Sequence, residues 1–185
     1  MIYPHWEYFM ALDSDLDDAS RYVEISRDNF NTYSIEFVHL LLAAGSEIDV
    51  VAKELCKKIE PTGNPSKITD YREIITRAYP KFHTIEISAP RHGITLRPWT
   101  SWGIGCTPDW WQWYNKVKHE RHLFYKEANL ENVLGSLSAL FAITLYLYQT
   151  ELYALELASW PKVLSLPTFH VSDVLGSGEI KLPDF

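Results

Sequence analysis

Residues 37–55 read FVHLLLAAGSEIDVVAKEL, and the spacing of their apolar side chains sets the fold class. Phe37, Leu41, Ala44, Ile48, Val51 and Leu55 recur at alternating steps of four and three residues. Such a seam lies on one face of a helix packed lengthwise against a neighbour. Lys57 and Lys58 suit the negative end of that helix's dipole. Pro61, Gly63 and Pro65 then break the chain.

The same reading extends in both directions. Upstream, a helix is expected over about 13–30, with Leu16, Ala19, Tyr22 or Val23, and Phe30 facing inward. Downstream, Ser66 is positioned to cap a short third helix with Ile68, Tyr71, Ile75 and Ala78 on one face and Pro80 as its stop. Residues 83–88 alternate apolar and polar, 90–93 read as a turn, and 94–96 return, which predicts a small β-hairpin around 82–98. A lone two-stranded ribbon is marginal, so it must lie on the helices or on a partner, with Trp99 and Trp102 as the natural contacts.

Thr107-Pro108-Asp109 supplies a capping hydroxyl, a proline for the first helical position and an acid for the first turn. The helix that follows is expected to reach about Ala128 with Trp110, Trp113, Val117 and Phe124 inward, and Asn129 suits the cap of the next. Residues 133–150 are uncharged for eighteen positions, a length at the threshold of a membrane span. Gly135, Ser136, Ser138, Thr144 and Gln149 inside it, and Glu131 and Glu151 at its ends, favour a buried central helix instead. Gly135, Ala139 and Ala142 form a small-residue strip for close approach of a neighbour. The last stretch, 159–185, carries Pro161, Pro167, Pro183, Gly176 and Gly178 and reads as an irregular tail laid on the bundle by Trp160, Phe169 and Phe185. The expected architecture is mainly all-α: an up-and-down bundle of about five helices over 1–158 with a hairpin insertion, then the tail.

Composition bounds the function classes. A chain of 185 residues with 46% hydrophobic and 22% charged residues can bury one substantial core. Cys56 and Cys106 are too few for a disulfide framework, which points to reduced thiols, no disulfide-linked partner and a cytoplasmic setting. The first ten residues lack the basic start and apolar run of a signal peptide. A net charge of −7 argues against a general nucleic-acid binder, yet the charge is uneven. Residues 1–60 hold twelve Asp/Glu against five Lys/Arg, whereas 91–126 hold six Lys/Arg against Asp109 and Glu120, with three histidines besides. That asymmetry can create a local positive site on an acidic protein, or acidic and basic helices simply pack side by side.

One segment carries candidate chemistry. On a helix, Asn115, His119, His122 and Lys126 fall at i, i+4, i+7 and i+11 and form one stripe, bordered by Lys118 and Arg121. Cations hold phosphate, and an imidazole exchanges a proton near neutral pH. The plain alternative is a solvated helix face. Two histidines three apart supply at most two metal ligands, so neither a metal nor another cofactor is expected. Ser34, Ser46 and Ser101 lack a hydrolase nucleophile's context, and Gly103 and Gly105 lack a phosphate-binding pattern around them. Glu36, Glu47 and Asp49 on the second helix are a further paired-acid candidate.

The order of elements, with a polar-motif helix before a very apolar final one, resembles the HEPN domains, helical-bundle proteins of prokaryotic toxin and phage-defence systems. Catalytic members of that group carry Arg, a polar residue that is often Asn, and a His a few residues on. Asn115 and His119 match two of these positions, and Tyr114 stands at the Arg position. The resemblance, which covers 10–153 loosely, implies homodimers with facing motifs and metal-independent RNA cleavage. In that reading His119 is general base or acid toward the 2′-hydroxyl and Asn115 orients it. Lys116, Lys118, Arg121, His122 and Lys126 would bind substrate, although lysine cannot reproduce arginine's bidentate grip on phosphate. The competing expectation is a non-catalytic dimerisation or interaction module whose Trp-rich hairpin region meets a partner.

Overall fold

The computed structural model describes residues 3–150, 160–167 and 182–184. Within them lie α1 (Pro4–Ser20), α2 (Ile35–Ile59), α3 (Ile68–Ala78), β1 (Ile87–Ala89), β2 (Ile94–Leu96), α4 (Asp109–Phe124) and α5 (Leu130–Leu147). The fold is an all-α bundle with a small antiparallel hairpin, as the sequence predicts. α5 lies along α2, α1 and α4 each pack against both, and α3 rests on α2.

α2 follows its pattern closely. Phe37, Leu41, Ala44, Ile48, Val51 and Leu55 are all buried, and the Ser34 hydroxyl accepts the Phe37 N–H at 3.1 Å to cap the helix. α5 is buried on nearly every side, Glu131 and Gly135 excepted. It is long and apolar enough to cross a membrane by length and composition, and 89% of it is buried inside this fold. Asn129 caps it through Oδ1, which accepts the Asn132 N–H at 3.0 Å, and the Lys58 ammonium donates to the Leu147 carbonyl at its other end. The small-residue strip takes indoles: Trp110 of α4 sits on Gly135, and the Trp99 N–H donates to the Ala139 carbonyl.

Several boundaries differ from expectation. The first helix starts at Pro4, not near Asp13, and ends at Ser20 rather than Phe30. Its inward row is Trp6, Phe9, Leu12, Asp13, Leu16 and Ala19, with proline at the first position, where no backbone donor is needed. Of the alternatives Tyr22 and Val23, Tyr22 is 88% exposed and Val23 packs partly buried against the core. In α3 the buried residues are Tyr71, Ile74 and Ile75, and Ala78 is exposed. Its N-terminus is closed by the Asp70 carboxylate, which accepts the Ser66 and Lys67 N–H groups at 2.9 and 3.1 Å, not by the Ser66 hydroxyl. Those bonds hold the Asp70 carboxyl below its usual range. The α4 helix begins one residue late, with Pro108 at the cap and no bond from Thr107's hydroxyl.

The hairpin is shorter than 83–88 suggested, because residues 82–84 form a 3₁₀ turn. Ile87 pairs with Leu96, Ser88 with Thr95 and Ala89 with Ile94. Gly93, at φ 63°, closes the connection in the left-handed region that favours glycine. The other edge of β1 is covered as well: Ser88 and Ser165 exchange both backbone hydrogen bonds at 2.8 Å. Residues 160–167 thus lie across the bundle, and Trp160 meets Trp6 edge-on at 5.6 Å. Two anchors expected for the tail, Phe169 and Phe185, lie outside the described residues.

A buried carboxylate fastens that segment. Asp13, 1% exposed, accepts the backbone N–H groups of Lys162, Val163 and Leu164 at 2.5, 3.2 and 3.0 Å. Burial nonetheless outweighs these bonds and holds its carboxyl above the usual range.

Candidate functional site

The geometry of α4 decides what the polar stripe can do. Its inward residues are Trp110, Tyr114 and Val117, spaced four and three apart. Trp113 and Phe124, expected in the core, are only half-buried and pack on each other at 6.3 Å, with the Lys116 ammonium 4.2 Å above the Trp113 ring. Tyr114 is in the core because α2 leaves room for it. A side chain at Gly45 would lie 2.3 Å from the Tyr114 ring, so only glycine admits this approach.

The helix does not run straight through the motif. Glu120 leaves helical conformation (φ −136°, ψ 45°), and Tyr125–Glu127 continue as a 3₁₀ turn. The stripe therefore divides. Lys118, His119, Arg121 and His122 line one open groove of about 540 Å³ with Leu42, Val117 and Tyr125. Asn115, Lys116 and Lys126 do not line it. The Asn115 amide is spent on its own helix, donating to the Trp111 carbonyl at 2.9 Å. Within the groove Lys118 donates to the Tyr114 hydroxyl at 3.3 Å. Among the described residues no hydrogen bond or ion pair engages His119, Arg121 or His122. No carboxylate lines the groove, so its cations are not neutralised from within.

Other expectations are redistributed. Glu36, Glu47 and Asp49 do not form a paired-acid site, because each has a different partner. Glu36 faces His39 at 3.8 Å, Glu47 takes His5 Nδ1 at 2.5 Å, and Asp49 accepts from the Tyr71 hydroxyl at 2.7 Å and pairs with Lys53. Glu54 completes the His5 cluster at 3.2 Å from Nε2. Burial would lower the His5 pKa, but the bonds and charges of Glu47 and Glu54 outweigh it and the net shift is upward. No short-range pattern announces this triad, since 42 residues separate His5 from Glu47. Among the described residues no group of three His, Cys, Asp or Glu side chains is placed to hold a metal ion.

Trp99 and Trp102, expected to hold the hairpin to the helices or to a partner, are internal, as is Trp110, expected in the core. Trp99, Trp102 and Trp110 are buried together, with Phe82 stacked among them at 5.4 and 5.5 Å from Trp99 and Trp102. Large apolar side chains that are exposed include Ile104 at 79%, two residues after Trp102, and, away from the tryptophans, Ile35 at 62% and Leu123 at 65%. No family model, curated protein or solved structure matches the chain.

Proposed function

We propose that this protein binds a phosphate-bearing ligand, RNA foremost, in the groove at the α4 kink, as a HEPN-like domain of a cytoplasmic toxin or defence system. One observation carries the reading: Lys118, His119, Arg121 and His122 converge on a single groove that no carboxylate lines. Arginine offers a planar fork to phosphate oxygens and lysine a point charge. Leu42 and Val117 supply an apolar floor, and Tyr125 a ring on which a base can stack.

Binding is the better supported half of the proposal. Tyr114, at the position of the family's arginine, is in the core, and the Asn115 amide is engaged by its own helix. If cleavage occurs, His119 takes the 2′-hydroxyl proton as that oxygen bonds to the adjacent phosphorus, Arg121 and Lys118 face the charged phosphorane, and the 5′-oxygen leaves with a proton from water to give a 2′,3′-cyclic phosphate. In a homodimer a second copy would add a second set of cations across the site.

The test is a titration of single-stranded RNA by fluorescence anisotropy, in EDTA and across a range of salt. Two engaged cations, Lys118 and Arg121, give a slope of log affinity on log salt of about −1.4, and reversing one of them in Arg121→Glu weakens binding and flattens that slope. RNA of the same sequence is then followed by gel with His119→Ala beside wild type, and loss of cleavage in the variant assigns the proton transfer to His119. No RNA binding, or binding indifferent to Arg121→Glu, refutes the reading. In that event the interaction module is favoured by the exposed Ile35 and Leu123, and Leu123→Ser should alter the solution mass.

A further inference from the structure

A second cavity lies at the start of α4, and its chemistry is opposite to that of the basic groove. It measures about 370 Å³, is walled by the indoles of Trp110 and Trp113, and is floored by Asn129 and Asn132 at the start of α5. Sites for small molecules span roughly 300–1,000 Å³, so its size is sufficient. Trp110 is fixed there by packing on Gly135 and by its N–H, which donates to the Pro98 carbonyl at 2.8 Å.

The two asparagines are more than nine-tenths buried, at 7% and 8% exposure, and each has only half of its amide satisfied. Asn129 uses Oδ1 to cap α5, and Asn132 uses Nδ2 to reach the Glu127 carbonyl at 2.9 Å. That leaves the Asn129 NH₂ and the Asn132 Oδ1 without partners among the described residues, in side chains that line the cavity. Neither atom is sealed from solvent, so one amide donor and one amide acceptor are accessible to a ligand.

The surrounding charge narrows the ligand class. Asp109, Glu127 and Glu131 line the same cavity. Its one cation, Arg97, is held by Glu86, whose carboxylate accepts from Nε and Nη2 at 2.8 and 2.5 Å. A phosphate or carboxylate ligand would thus meet net negative charge. The carboxylates are not grouped to hold a metal ion. Hydroxyl groups suit the site: they donate to carboxylates and to Oδ1, and accept from NH₂. A saturated ring offers its C–H face to an indole.

We propose that this cavity binds a neutral monosaccharide, through Trp110, Trp113, Asn129, Asn132 and Glu131. The test uses the full chain and a panel of methyl glycosides of glucose, galactose and mannose, followed by tryptophan fluorescence and by saturation-transfer NMR. One glycoside should give a saturable change, with glucuronate binding more weakly than its neutral counterpart. Asn132→Ala should weaken binding by about tenfold or more, the value of a lost hydrogen-bonding pair. Trp113→Leu, at a half-buried position away from the α5 cap, should do the same and covers the case in which Asn132→Ala fails to fold. Arg121→Glu, across the helix, should leave sugar binding unchanged. The proposal is overturned if no glycoside of the panel gives a saturable change, if both cavity variants bind as wild type does, or if glucuronate binds as tightly as the neutral sugar.

Discussion

Replacing Asp13 by alanine removes the acceptor for three consecutive backbone N–H groups, those of Lys162, Val163 and Leu164. A hydrogen bond to a charged group contributes about 1.5–3 kcal/mol, so intact geometry would lose about 4.5–9 kcal/mol on a simple sum. Two effects reduce that figure. Burial holds the Asp13 carboxyl above its usual range, which shows that its charge is only partly compensated. In addition, the 160–167 segment can lift away and let water satisfy its amides, at the expense of re-exposing Val163, Leu164 and Leu166. A net destabilisation of about 3 kcal/mol is expected, which for a chain of this length lowers Tm by roughly 6–12 °C. Hydrogen exchange locates the loss: amides of Val163, Leu164 and Ser165 should lose protection, and Ser88, which exchanges both bonds with Ser165, should follow. Asp13→Ala melting within a degree of wild type, with those amides still protected, would refute the anchoring argument.

The same carboxylate has a pH signature. Because the folded state raises the Asp13 pKa, folding takes up a proton, and the associated stability is present below the unfolded value and lost as pH rises through the folded one. Asp13→Asn should flatten the stability profile in that acidic window. His5 is likewise raised, so its ion pairing with Glu47 and Glu54 contributes fully below about pH 6.5 and fades as pH climbs through the elevated folded pKa. The difference in Tm between wild type and His5→Gln should shrink across that interval, and a constant difference would count against the pairing. Gly45→Ala drives a methyl into the Tyr114 ring, so α4 must shift; about 2 kcal/mol of lost stability is expected from thermal melts, and a neutral variant would contradict the close approach. Burial pushes the Cys56 thiol up to about 12, while Cys106 is exposed. A thiol reagent should therefore titrate one cysteine in the native protein and two after denaturation.

The parts of the fold legible in the sequence are those where one physical requirement dominates. α2 has a single buried face, so its apolar period survives translation into structure. α5 is buried all round and reads as an unbroken apolar run. The expected start of α1 near Asp13 fails because Asp13 is an inward residue of the helix's third turn, its backbone donors lying some 150 residues away. Trp6 and Phe9 already continue the row of Leu16 and Ala19 back to Pro4, and that spacing was the available signal. The groove was half legible. Composition exposed the local excess of cations, and two of the four stripe positions, His119 and His122, do share a wall. The kink at Glu120 left no mark in the sequence: neither proline nor glycine occupies the turn, so a continuous helix was the only geometry a spacing argument could use.

That kink also bears on how α4 divides its work. Before it, the helix is bound at three levels by Trp110 on Gly135, Tyr114 on Gly45, and Val117 in the core. After it, Arg121, His122 and Leu123 are all exposed, and only Phe124 and Tyr125 turn partly back inward. A straight helix would itself set Arg121 and His122 one turn beyond Lys118 and His119 on the same side. The break at Glu120 leaves Arg121 and His122 in one groove with Lys118 and His119, four cationic or ionisable side chains in all. Glu120 itself is exposed, so its side chain does not hold the break. A short connection follows the break, through the 3₁₀ turn Tyr125–Glu127 to Ala128 and Asn129, both buried where α5 begins. Inserting two alanines after Glu127 would relax that connection. RNA affinity should then fall while α1, α2 and α3 keep their exchange protection; unchanged affinity would show that the groove does not depend on the kink.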